Sequence, residues 1–151
     1  MMDEGAKIPD VTVTIDEAAV SLASLGTPLV VYFYPKDDTS GCTTEAKDFS
    51  ALADAFQTAG VKVVGISKDT PASHAKFTAK HALTVQLGSD VDGVACEAFG
   101  VWVEKAMYGK KYMGIERATF LFGADGTLAK VWHKVRVPGH ADAVLAAAKA
   151  L

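Results

Sequence analysis

Apolar residues in this chain gather into short unbroken runs and into helically spaced sets, and the two alternate. Residues 29–34 read LVVYFY between Pro28 and Pro35. A β-branched and aromatic run of this kind predicts a strand buried on both faces. Residues 61–67 (VKVVGIS) follow Gly60 and read the same way. Residues 118–123 (ATFLFG) and 127–135 (TLAKVWHKV) flank Ala124-Asp125-Gly126. That turn sequence predicts a hairpin. Residues 11–15 alternate Val and Thr and predict an edge strand.

Helical patterns fill the intervals. From Cys42 the apolar positions Ala46, Phe49, Ala53 and Phe56 recur at helical spacing, so Cys42 begins the buried stripe of a helix ending near Gly60. A second helix is predicted over 71–81, with Pro71 in its first turn. A shorter one is expected over about 93–99, and an Ala-rich one over about 140–151. This order predicts an α/β sandwich: a central mixed β-sheet flanked by helices, one domain over 1–151. A thioredoxin-like arrangement fits it.

Composition narrows the function. Half of the 151 residues are apolar, enough for a sizeable core, and the net charge is −3 with both signs interspersed. No basic patch suggests nucleic acid or an anionic membrane, and no apolar stretch approaches a membrane span. The start, MMDEGAKIPD, is acidic and lacks the apolar run of a secretory signal, so a cytoplasmic protein is the default expectation. Two cysteines, Cys42 and Cys96, make no disulfide scaffold. Alone, each reads as a small buried hydrophobe.

The surroundings of Cys42 change that reading. A buried strand ends at Pro35, a polar loop follows, and Cys42 falls where a helix starts. Helix starts carry unpaired N–H groups and the positive end of the dipole, which stabilise a thiolate. Sites in α/β sheets form beyond the C-terminal strand ends. The segment YFYPKDDTSGCTTEAKDF carries Pro35, Thr39 and Cys42 in the pattern Pro-x-x-x-Thr/Ser-x-x-Cys. It resembles the peroxiredoxin family, and in particular its peroxiredoxin Q, or bacterioferritin comigratory protein, subfamily. The likeness extends through VVGISKDT, LGSDVDGVACEAFGVW, YGKKYMGIERATFLF and DGTLAKVW.

The resemblance implies a thioredoxin fold and a cofactor-free, metal-free thiol peroxidase. It would reduce hydrogen peroxide and organic hydroperoxides through a sulfenic acid on Cys42, recycled by thioredoxin or a small thiol. Relatives include monomers and dimers, so a monomer or weak homodimer is expected. Residue by residue, the resemblance makes Cys42 the peroxidatic cysteine. It places the Thr39 hydroxyl on the bound peroxide and Pro35 over the sulfur as a shield. It makes Arg117 the active-site arginine and Glu45 the residue that orients it. Plainer readings stand beside these: Pro35 as a strand terminator, Thr39 as an N-cap, Arg117 and Glu45 as ordinary charges.

The chemistry indicates where catalysis must come from. A free thiol of pKa ~8.5 is about 3% ionised at pH 7, so full ionisation gains roughly 30-fold. The accompanying loss of nucleophilicity takes back roughly 10-fold. The larger contribution must be stabilisation of charge on the departing oxygen. Thr39, the Gly41 and Cys42 backbone N–H groups and Arg117 are the expected donors.

Many members of the subfamily carry a second cysteine five positions after the first, where this chain has Lys47, and others place one in the next helix, where it has none. Cys96 remains as a possible resolving cysteine, with a buried structural thiol as the favoured reading. Rival functions have weaker support. A thioredoxin-type oxidoreductase needs Cys-x-x-Cys, and here the residues are Cys42-Thr-Thr-Glu45. His74, His81, His133 and His140 lack paired zinc-ligand spacing, and His74 and His81 read as two solvated histidines. Trp102, Tyr108 and Tyr112 could line a substrate entry or cover core.

Overall fold

The computed structural model describes residues 2–151. Its centre is a seven-stranded sheet in the order β2-β1-β5-β4-β3-β8-β9. The strands are β1 (Thr12–Ile15), β2 (Ala18–Ser21), β3 (Leu29–Phe33), β4 (Lys62–Ser67), β5 (Gln86–Ser89), β8 (Ala118–Phe122) and β9 (Leu128–Trp132). β3, β4 and β5 pair in parallel, and the other neighbours are antiparallel. The helices are α1 (Ser40–Ala51), α2 (Ala53–Thr58), α3 (Pro71–His81), α4 (Val94–Ala98) and α5 (His140–Lys149). A separate two-stranded ribbon is formed by β6 (Trp102–Met107) and β7 (Lys110–Ile115). The mixed sheet flanked by helices is the thioredoxin-like sandwich expected.

β3 is the axis. It lies between β4 and β8, and all five of its residues are buried. Its alternation divides the interior in two. Leu29, Val31 and Phe33 join one apolar cluster with Val64, Ile66, Phe99 and Phe120. Val30, Tyr32 and Tyr34 join another with Phe49, Phe56, Phe77 and Val144. Successive strand residues point to opposite faces, so these clusters lie on opposite sides of the sheet. The second holds α1 in place: the Tyr32 ring stacks on Phe49 with centroids 4.6 Å apart. Gly65, beside Tyr32 on β4, makes room for it, since a Cβ there would sit 2.4 Å from the Tyr32 Cζ.

Several elements differ from the sequence expectation. β1 is not the edge strand; β2 takes that place by pairing outside it. The helix expected from Cys42 to Gly60 is interrupted at Leu52, whose ψ of 7° leaves helical geometry, giving α1 and α2. β9 ends at Trp132, not at 135. β2, β5 and the β6–β7 ribbon were not expected at all. The ribbon is rich in exposed charged residues and lacks an apolar face, so period-2 reading has nothing to detect. The 71–81 helix is as predicted, capped by Thr70 Oγ1, which accepts from the Ser73 N–H at 3.1 Å.

Candidate active site

Cys42 is the third residue of α1, and the local fold leaves the amides around it free. The first i→i−4 bond of the helix runs from the Thr43 N–H to the Thr39 carbonyl at 2.8 Å. The Gly41 and Cys42 N–H groups precede it, and no side chain caps them. Thr39 occupies the N-cap position, yet its hydroxyl makes no capping bond. Instead, Thr39 Oγ1 donates to the Lys36 carbonyl at 2.9 Å. The single hydroxyl proton is therefore committed, and the oxygen is left with acceptor capacity only. In this arrangement Thr39 is set to accept, whereas the sequence reading expects a donor.

Arg117 immediately precedes β8, which is hydrogen-bonded to β3, so the sheet brings it to the C-terminal end of β3. Its guanidinium spans two partners. Nη2 lies 3.2 Å from Cys42 Sγ and Nη1 lies 2.6 Å from Glu45 Oε1. Glu45 is one turn along α1 from Cys42, on the same buried face, and is 1% exposed. Burial pushes its carboxyl up to about 7 against the pull of Arg117, and Oε2 has no hydrogen-bond partner. A Cβ on Gly41 would stand 3.3 Å from Arg117 Nη2, so the glycine gives the guanidinium its place over the helix start.

Cys42 is 1% exposed and packs in the cluster of Tyr32, Tyr34 and Phe49. Above it Pro35, Thr39 and Ser40 are exposed and Gly41 is half-buried. Pro35 ends β3 at this rim with an exposed ring, so the burial of the cysteine rests on the aromatic cluster beneath. Lys105 on β6 is half-buried; burial, together with the Arg117 charge, holds its ammonium below the ordinary lysine range.

Cys96 lies elsewhere. It is fully buried in the first apolar cluster, across the sheet from Cys42. Burial and the neighbouring Asp90 carboxylate push its thiol well above the ordinary range. Trp102, Tyr108 and Tyr112 do not form one lining: Tyr108 is 99% exposed at the ribbon tip, and Lys68 Nζ sits 4.0 Å over the Trp102 ring.

Sequence reading missed a polar cluster behind the loop. The Asp37 carboxylate accepts from Tyr34 Oη (2.6 Å) and Ser73 Oγ (2.8 Å) and meets His74 Nδ1 at 2.7 Å. Burial raises this carboxyl, but those bonds outweigh it and hold it below the ordinary value. His74 is buried, with Nε2 3.1 Å from the Gly88 carbonyl, and His81 meets Asp38 at 2.8 Å, so neither is a solvated histidine. Asp37, Asp69 and His74 offer ligand atoms within 4.8 Å of one another, but each already has hydrogen-bond partners. The available signal was the Asp37-Asp38 pair inside the loop, which periodicity does not interpret.

A family model described as AhpC/TSA matches residues 5–131. Peroxiredoxin Bcp of Xanthomonas campestris is 54% identical over 128 residues, covering 85% of this chain and 80% of that protein. Peroxiredoxin Bcp of Bacillus subtilis is 44% identical over 138 residues, covering 90% of this chain and 88% of that protein. Among solved structures, a Xylella fastidiosa PrxQ mutant superposes with a TM-score of 0.92 at 38% identity, covering 99% of this chain and 97% of that one. The Xanthomonas campestris bacterioferritin comigratory protein, studied for alkyl peroxide reduction, superposes at 0.89 with 47% identity and 98% coverage of both. These matches span the loop, α1 and the strand that follows Arg117, and on them the chain belongs to the AhpC/TSA family as a peroxiredoxin of the Bcp, or peroxiredoxin Q, kind.

Proposed function

We propose that this chain, a thiol peroxidase by family, reduces hydrogen peroxide and organic hydroperoxides at Cys42. The observation that carries the reading is the Arg117 guanidinium 3.2 Å from the Cys42 sulfur, beside two uncapped amides. The Cys42 thiolate attacks the terminal oxygen of R–O–O–H. An S–O bond forms, the O–O bond breaks, and RO⁻ leaves to take a proton and become ROH. Cys42 is left as the sulfenic acid. Arg117 and the Gly41 and Cys42 N–H groups take up the charge that develops on the departing oxygen. Thr39 Oγ1 accepts the hydroperoxide O–H. Pro35 forms the rim, and Glu45 holds Arg117 on the sulfur.

The sulfenic acid is recycled from outside. An external thiol condenses with it to a mixed disulfide and water, and a second thiol then releases the Cys42 thiolate and a disulfide product. Cys96 lies across the sheet from Cys42, whereas a disulfide needs Cα atoms within about 7 Å. That separation supports a one-cysteine cycle. Thioredoxin or a small thiol is the proposed reductant, acting on a cytoplasmic monomer or weak homodimer with one domain over 1–151. No helix among the described residues is long and apolar enough to cross a membrane.

Peroxide consumption by wild type, Cys42→Ser and Cys96→Ser, with thioredoxin or dithiothreitol as reductant, tests the reading. Cys42→Ser is expected to fall to background and Cys96→Ser to keep the wild-type rate. Mass spectrometry of peroxide-treated protein is expected to give a sulfenic or mixed-disulfide adduct on Cys42. An intramolecular Cys42–Cys96 disulfide would sink the one-cysteine cycle, and turnover by Cys42→Ser would sink the whole reading.

A further inference from the structure

We propose that Asp69, at the exit of β4, is a positioning residue for peroxide reduction that acts by locking the peptide group on which the Thr39 hydroxyl rests. The inference stands on the proposed role of Thr39 as acceptor of the hydroperoxide proton.

Asp69 and Thr39 act on opposite ends of one peptide unit. The Lys36 carbonyl accepts the Thr39 hydroxyl at 2.9 Å. The Asp37 N–H, on the other side of the same planar group, donates to Asp69 Oδ2 at 2.8 Å. In a trans peptide C=O and N–H point in opposite directions, so fixing one fixes the other. The carboxylate that draws the N–H inward turns the carbonyl outward, toward Thr39. That carbonyl takes the hydroxyl proton and leaves the lone pairs for the substrate.

The lock is itself braced. Ser67 Oγ donates to Asp69 Oδ2 at 2.6 Å, and Ser89 Oγ donates to the Asp69 carbonyl. The Asp37 side chain is held by Tyr34, Ser73 and His74, so the Cα beyond the peptide is anchored as well. The next residue, Asp38, has φ of 60°, a left-handed conformation unfavourable for a residue with a side chain. Lys80 Nζ at 2.6 Å and His81 Nε2 at 2.8 Å hold it there. This turn brings Thr39 back over the Lys36 carbonyl. Two consecutive aspartates are thus strapped to α3 while a third fixes the peptide preceding them.

The test is a double-mutant cycle on the rate of Cys42 oxidation by hydrogen peroxide, with iodoacetamide alkylation of Cys42 measured in parallel. Alkylation needs a nucleophilic sulfur but no acceptor for a peroxide proton. Thr39→Val is expected to slow oxidation by roughly 10²-fold. Asp69→Ala is expected to slow it about tenfold, within the ~10²-fold that a misplacement of about 1 Å can cost. Asp69→Asn keeps an oxygen for the Asp37 N–H and is expected to return most of the rate. Asp69→Ala added to Thr39→Val is expected to cost nothing further, and alkylation is expected to stay near wild type throughout. Additive losses, a parallel fall in alkylation, or an Asp69→Asn rate as low as that of Asp69→Ala would overturn the inference. A wild-type rate in Thr39→Val would instead overturn the role of Thr39 on which it stands.

Discussion

Cys42 and Cys96 occupy the same place in two different helices. Each is the third residue of its helix, and each is buried, at 1% and 0% exposure. Helix position and burial therefore do not tell the two thiols apart. The difference lies in what holds the amides and which charge faces the sulfur. At the start of α4 the Asp90 carboxylate takes the Ala95 N–H (3.0 Å) and the Cys96 N–H (2.8 Å). The start is neutralised, and the nearest charge is an anion. At the start of α1 the corresponding amides are uncapped, and the nearest charge is the Arg117 cation. One arrangement suits a developing anion; the other opposes it.

The sharpest way to break the comparison is to remove the cation. Arg117→Ala is expected to lower the rate constant for Cys42 oxidation by roughly 10²–10³-fold, the range for loss of a donor to a developing oxyanion. Arg117→Lys is expected to recover little, because an ammonium lacks the fork that reaches Glu45 and the sulfur together. Stopped-flow oxidation paired with ultraviolet titration of the thiolate separates two causes. A rate loss fully explained by lost ionisation would remove Arg117 from the departing oxygen and leave it only as a counter-charge.

How much of this contrast the sequence carries differs between fold and site. The apolar runs that became β3, β4 and β8 were legible because buried strands have few polar interruptions. β5 was not, since QLGS carries a glycine and two polar residues, and its burial comes from its neighbours. Cys42 at a helix start was legible from periodicity. Its meeting with Arg117, 75 residues away, was not, because only the pairing of β3 with β8 brings them together. That meeting came through the family resemblance. The separation of Cys96 from Cys42 was half visible: the alternation in β3 predicts two faces, but nothing local says which helix covers which. The capping by Asp90 lay outside any expectation, since it reaches from a loop that periodicity leaves blank.

The other cysteine offers a smaller test. Asp90→Ala leaves the Ala95 and Cys96 N–H groups unpaired in the interior, a cost of about 1–3 kcal/mol each. At roughly 2–4 °C per kcal/mol for a chain of this size, the melting temperature is expected to fall by several degrees. Oxidation of Cys42 is expected to suffer far less than in Arg117→Ala. In a Cys42→Ser background, the Cys96 thiol is expected to ionise at lower pH once Asp90 is gone, as read by alkylation in mild denaturant. An unchanged profile would mean that burial alone silences Cys96.

Glu45 gives the smallest expected effect and refines the reactive side. Its carboxyl sits at about 7 in the folded chain, above its ordinary value, because burial outweighs the bond to Arg117 and Oε2 has no partner. A carboxyl raised by folding favours the folded state while protonated. Its contribution is fully present below the unfolded value and is lost as pH rises through about 7. His140, lowered to about 4 chiefly by burial, works the other way, losing stability as pH falls below the ordinary histidine range. Wild type alone cannot separate the two, but Glu45→Gln removes only the first. Glutamine keeps an oxygen for Arg117 Nη1 and carries no charge to bury. The unfolding free-energy difference between Glu45→Gln and wild type, read by denaturant titration, is expected to move in favour of the variant between pH 5 and pH 8, by on the order of 1 kcal/mol. Peroxidase activity is expected to fall less than in Arg117→Ala, because the guanidinium stays on the sulfur. A difference that is flat with pH would show that Arg117 fully offsets the burial of Glu45. Buried Glu45 and half-buried Arg117 would then be balanced, and the start of α1 would carry no stored cost beside its uncapped amides and its cation.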